Sequence, residues 1–119
     1  MKKILIVEDV EMNRDLLIQL LEDEYELAEA VDGRQGLEMA ARERPDLILL
    51  DISLPEMDGW EVAQRIREDT ALKDIPIIAV TAHAMAGDRE KAHACGCNDY
   101  IAKPIDEDEL WTKVRKHLA

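Results

Sequence analysis

Leu47-Ile48-Leu49-Leu50 is an unbroken aliphatic run fenced by Pro45-Asp46 on one side and by Pro55 and Gly59 on the other. A run this short, bounded by turn residues, reads as a strand buried on both faces; an amphipathic helix would interleave polar positions. Strands of that kind belong to parallel sheets covered by helices on each side. Asp51 follows the run directly. An aspartate there can cap the turn that leaves the strand. It can also be presented on a rigid element at the C-terminal edge, where open parallel sheets bind ligands.

The rest of the chain alternates in the same way, with no linker or repeat. Lys3 to Val7 reads as a first strand ending at Glu8-Asp9, followed by a helix with Met12, Leu16, Leu17, Leu20 and Leu21 on one face. Tyr25 to Ala30 is a short second strand. Asp32-Gly33-Arg34-Gln35 has the spacing of a capping box and opens a helix that buries Leu37, Ala40 and Ala41 and stops before Pro45. Asp58-Gly59-Trp60-Glu61 repeats that pattern, with Val62, Ala63 and Ile66 inward. Pro76 to Val80 is a buried strand delivering Thr81, and a thinly apolar helix from about Ala84 to Cys95, with Gly87 inside it, is the weakest. Gly96 ends it, Asp99 to Ala102 is the last strand, and after Lys103-Pro104 a final helix is capped by Asp106 with Glu109 three residues on.

Five strand-helix units imply right-handed crossovers and a flavodoxin-like, doubly wound α/β fold. That is a five-stranded parallel sheet with helices on both faces, compatible with the order 2-1-3-4-5. The 119 residues suit one domain, residues 1–119, and the start at Met1 and the finish just after a helix favour a free-standing protein.

Aromatics are 3% of the chain and Phe is absent, so the core is aliphatic, with Trp60 and Trp111 packed partly into it from helices. Against 15 basic side chains stand 27 acidic ones, a net charge of -12. Such a field repels nucleic acid and anionic lipid and favours cations and basic protein surfaces. The apolar N-terminal run lacks a cleavage site, and no stretch approaches the roughly 20 apolar residues of a membrane helix, so we expect a cytoplasmic protein. Cys95 and Cys97 form a poor zinc set and read as free buried thiols. His83, His93 and His117 are too scattered to pair as ligands and read as solvated.

The strand ends carry the chemistry. Glu8 and Asp9 end the first, Asp51 the third, Thr81 the fourth, and Lys103 follows the fifth. In a doubly wound sheet these meet in one crevice. Three crowded carboxylates repel unless a cation neutralises them. Mg2+, which accepts oxygen ligands and keeps room for a phosphoryl oxygen, fits that set. An aspartate nucleophile, a lysine to neutralise the transferring oxygens and a threonine hydroxyl to bond them point to phosphoryl transfer.

Ile4 to Asp9, Pro45 to Asp51, Leu54-Pro55-Glu56-Met57-Asp58-Gly59, Ile77 to Ala82 and Tyr100 to Ile105 together resemble the receiver domain of two-component response regulators over essentially the whole chain. They are most similar to single-domain receivers of the DivK or CheY type and to receivers of hybrid histidine kinases. The resemblance implies that Asp51 accepts a phosphoryl group from a phosphohistidine on a histidine kinase or phosphotransfer protein, the chain promoting only its own phosphorylation and dephosphorylation. It further implies Mg2+ held by Asp9, Asp51, the Ser53 carbonyl and, through water, Glu8. Thr81 and Tyr100 match a switch pair, Lys103 matches the phosphate-binding lysine, and the bond before Pro104 is expected to be cis.

Two other classes fit less well. A haloacid-dehalogenase-type phosphatase needs a second aspartate where Ser53 stands, and a flavin carrier needs a phosphate loop where Glu8-Asp9-Val10-Glu11 would repel phosphate. The expected output is protein binding through the fourth helix, fifth strand and fifth helix, by a monomer or a weak phosphorylation-dependent homodimer.

Overall fold

The computed structural model describes residues 1–81 and 88–118. Five strands, β1 (Lys3–Val7), β2 (Glu26–Ala30), β3 (Leu47–Asp51), β4 (Ile77–Thr81) and β5 (Asp99–Ala102), alternate with α1 (Glu11–Leu21), α2 (Gly33–Glu43), α3 (Gly59–Glu68), α4 (Asp88–Ala94) and α5 (Glu107–Leu118). All strand pairs are parallel, in the order β2-β1-β3-β4-β5. The α/β fold and strand order expected from the sequence are those observed. Gly87 and His83, and the first residues assigned to the fourth helix, lie outside the described residues.

Alternation along the strands divides the core in two. Leu5, Val7, Ile48, Leu50, Ile77 and Ala79 point to one face, where Ala40 of α2, Trp60, Val62, Ala63 and Ile66 of α3 and Ala92 of α4 cover them. Ile4, Ile6, Leu47, Leu49 and Ile78 point to the other, under Leu17 and Leu21 of α1 and Leu110 and Val114 of α5. Each fully buried strand residue contributes about 1.5–3 kcal/mol of apolar burial, which is why the central strands carry no polar residue before their ends.

The helix termini follow local chemistry. Asp32 accepts from the Gln35 N–H at 2.8 Å, while the Gln35 side chain accepts from the Val31 N–H, one residue before the cap. Arg44 takes a left-handed conformation (φ 45°) to end α2 ahead of Pro45. Asp58 and Asp106 cap α3 and α5 by accepting from Glu61 and Glu109 N–H.

Three expectations are corrected. Met12 and Leu16 do not join the core: they are 82% and 44% exposed, because α1 turns the neighbouring stripe, Leu17 and Leu21, onto the sheet. Ala41 faces solvent while Ala40 is buried. His117 is not solvated; its Nε2 lies 3.2 Å from Asp99 Oδ2 with only 15% of its side chain exposed. Cys95 and Cys97 are free and buried, and burial first, with Cys95 beside it, pushes the Cys97 thiol up to about 12. Among the described residues, no helix is long and apolar enough to cross a membrane.

Candidate functional site

Parallel register brings the strand ends level. Val7 pairs with Leu50, Asp51 with Val80, and Thr81 with Ala102, so Glu8, Asp51, Thr81 and Lys103 leave the sheet along one edge. Backbone bonds hold each chain at its exit. Glu8 N donates to Ala30 O, Ile52 N to Val80 O, and Lys103 N to Thr81 O at 2.7 Å. The Lys103-Pro104 peptide is cis.

Side chains then converge. One carboxylate oxygen from each of Glu8, Asp9 and Asp51 lies within 4.8 Å of the others. Glu8, Asp51 and Thr81 are 2–3% exposed, whereas Asp9 opens to solvent. Asp51 Oδ1 accepts from Ser53 N–H at 3.0 Å, and Glu8 Oε2 from Val10 N–H at 3.2 Å. Lys103 Nζ sits 3.0 Å from Glu8 Oε1 and 3.5 Å from Asp51 Oδ2. Tyr100 is half-buried on β5, packed against the α3 side of the core with Lys113 Nζ 5.8 Å from its ring centre.

The electrostatics of the pocket are set by burial. Glu8 is pushed up to about 7, first by loss of water and then by Asp51 beside it, which Lys103 and the Val10 N–H only partly offset. Burial alone would lower Lys103, but hydrogen bonding to Glu8 and the charges of Asp51 and Glu8 outweigh it and raise it. One ammonium therefore does not balance three carboxylates. The excess negative charge, the all-oxygen donors and the open side at Asp9 fit a hard divalent cation that retains water.

Two contributors, Gly59 and Arg14, were not legible as site residues, whereas Val10 follows the acidic pair directly in the chain. Gly59 N donates to Ile52 O, and a Cβ on Gly59 would stand 2.5 Å from Asp51 O and 2.7 Å from Ile52 Cα, so only glycine lets the loop fold back on the strand end. Its place one residue after the α3 cap was the available signal. Arg14 donates from Nη1 to Glu8 O at 3.0 Å. Val10, 46% exposed, continues from the acidic pair into the uncovered Met12 and Leu16.

A doubly wound parallel sheet with a buried aspartate, two further acids and a lysine at its C-terminal edge is the architecture of a signalling receiver domain. The chain matches the family model "Response regulator receiver domain" over residues 4–115 and belongs to that family, CheY-like in fold. It is 43% identical over 118 residues to the polar-differentiation response regulator DivK of Brucella anthropi, covering 98% of this chain and 96% of that protein. Among solved structures, chemotaxis protein CheY4 of Vibrio cholerae superposes with a TM-score of 0.92 at 29% identity, covering 98% of each chain. The receiver domain of sensor histidine kinase PA1611 of Pseudomonas aeruginosa does so with a TM-score of 0.89 at 38% identity, over 97% of this chain and 95% of that one; it holds a magnesium ion in its active-site cleft.

Proposed function

We propose that this receiver accepts a phosphoryl group on Asp51 from a phosphohistidine of a histidine kinase or histidine phosphotransfer protein. The carrying observation is the buried Asp51 carboxylate, with Lys103 at 3.5 Å and two acids beside it. A carboxylate oxygen of Asp51 attacks phosphorus, the P–N bond breaks, and its electron pair returns to the imidazole of the donor. Glu8 and Asp9 with Asp51 and the Ser53 carbonyl would hold Mg2+, which supplies charge neutralisation at the phosphoryl oxygens. Lys103 leaves Glu8 to pair with the new oxygens, and Thr81, at the adjacent strand end, donates its hydroxyl to them.

The donor has to reach a carboxylate that is 3% exposed. Val10, Met12 and Leu16 are exposed apolar side chains at the start of α1, which follows Asp9 in the chain, and we assign them to the helix that carries the phosphohistidine. The output leaves on the opposite flank. Phosphorylation adds about two negative charges beside Thr81, whose movement gives Tyr100 room to turn inward and changes the surface of α4, β5 and α5. A shallow cavity of about 200 Å³ lies there, lined by Ala92, His93, Asn98, Tyr100 and Lys116. The charge of -12 makes its partner a protein rather than DNA.

Intact-mass measurement with acetyl phosphate tests the reading. One phosphoryl group is expected in Mg2+ and none in excess chelator; equal modification in both overturns it.

A further inference from the structure

We infer that Arg14 is a positioning residue for the metal site: its guanidinium locks the Glu8-Asp9 turn from behind, so Mg2+ affinity depends on a cation that itself repels the metal. This rests on the reading of Glu8, Asp9 and Asp51 as Mg2+ ligands.

Four observations carry it. Arg14 Nη1 donates to the main-chain oxygen of Glu8 at 3.0 Å, while Nε pairs with Glu29 Oε1 on β2 at 3.2 Å. One planar group thus ties α1, the end of β1 and the neighbouring strand together, which a lysine, bonding as a point charge, cannot reproduce. The side chain is only 14% exposed although it lies in the first turns of α1, where the helix dipole disfavours a cation. The carboxylate of Glu29 and the acidic edge beside it offset that dipole, so the buried guanidinium is held by the contacts it makes. Finally, the other ties at the turn act on the Glu8 side chain, which accepts from Val10 N–H and pairs with Lys103, and leave the main-chain oxygen of Glu8 to Arg14. Val10 caps α1 without a side-chain bond, and Asp9 is exposed, so the backbone on either side sets where its Cα stands. Glu8 N is held by Ala30 O, and Glu8 O by Arg14. Glu29 cancels the charge of Arg14, so its geometry remains while its repulsion of a metal is muted.

Charge and geometry predict opposite signs. If Arg14 acted only as a nearby cation, Arg14→Met would tighten Mg2+ binding and Arg14→Lys would leave it unchanged. As a positioning group, its loss weakens binding, about 10-fold for Arg14→Met by analogy with groups that orient metal ligands, and by a smaller factor for Arg14→Lys. Calorimetric titration with MgCl2, on wild type and both variants at a temperature where circular dichroism shows all of them folded, reads this directly. Weaker binding in both supports the inference. Unchanged or tighter binding in Arg14→Lys overturns it, even if the unfolding midpoint falls, because a merely structural arginine shifts the midpoint and not the affinity of the folded chain. Arg14→Lys carries the test alone if Arg14→Met does not fold. Absence of Mg2+ binding in wild type overturns the metal reading beneath, a result distinguishable from failure of Arg14 alone.

Discussion

Lys103 Nζ lies 3.0 Å from Glu8 Oε1, joining two strand ends that are 95 residues apart in the chain. The bond sets the ammonium directly against one carboxylate of the acidic edge. Lys103→Met removes the group that holds Glu8 down, so the Glu8 carboxyl should titrate higher still in metal-free protein, read by carboxyl carbon NMR. Mg2+ should still bind, and phosphorylation by acetyl phosphate should slow at least tenfold. An unchanged Glu8 titration would contradict the pairing.

Glu8 also makes stability depend on pH. In the folded chain it holds its proton up to about 7, against an ordinary value of 4.5. Between those values the folded state binds more protons than the unfolded one, so stability falls as pH rises through this window and levels off above it. Urea midpoints of the metal-free wild type should drop from about pH 5 to about pH 7.5 more steeply than those of Glu8→Gln. Parallel curves would sink the assignment of the burden to Glu8.

Gly59→Ala forces a methyl against the Asp51 carbonyl and the Ile52 backbone. Neither atom belongs to a flexible side chain, so the loop or the strand end has to move, at a cost of about 1–3 kcal/mol. Phosphorylation should fall further than stability does, because the displaced atom is the main chain of Asp51, the proposed acceptor. A variant that loses stability but phosphorylates at the wild-type rate shows that the strand end held its place.

Met12→Asp and Leu16→Asp separate the donor surface from the chemistry. Both side chains are exposed, so folding should be unaffected, and acetyl phosphate should modify the variants at the wild-type rate. Transfer from a phosphohistidine-bearing protein that serves the wild type should slow by about tenfold or more, the loss expected for central interface contacts. Equal slowing with both donors would place the defect in the site instead.

Much of this was readable from the chain. Leu47 to Leu50 and Ile77 to Val80 read as strands covered on both faces, and once they are parallel their terminal residues share an edge. What was not readable depends on helix rotation. Met12 and Leu16 have the same spacing as Leu17 and Leu21, and periodicity reveals an apolar helix without saying which stripe meets the sheet. The pairing of His117 with Asp99 and of Arg14 with Glu8 O likewise needs the azimuth of α5 and α1, which packing against β1, β3 and β5 decides. A main-chain acceptor such as Glu8 O leaves no trace in residue identity at all.

The central claim is that Asp51, among three neighbouring carboxylates, is the one that takes the phosphoryl group. Borohydride reduces an aspartyl phosphate to homoserine, so treatment after acetyl phosphate and Mg2+, followed by peptide sequencing, reads the position chemically. The account predicts homoserine at position 51 alone, and none in Asp51→Asn. Homoserine at position 9, or label of equal yield in Asp51→Asn, would contradict it.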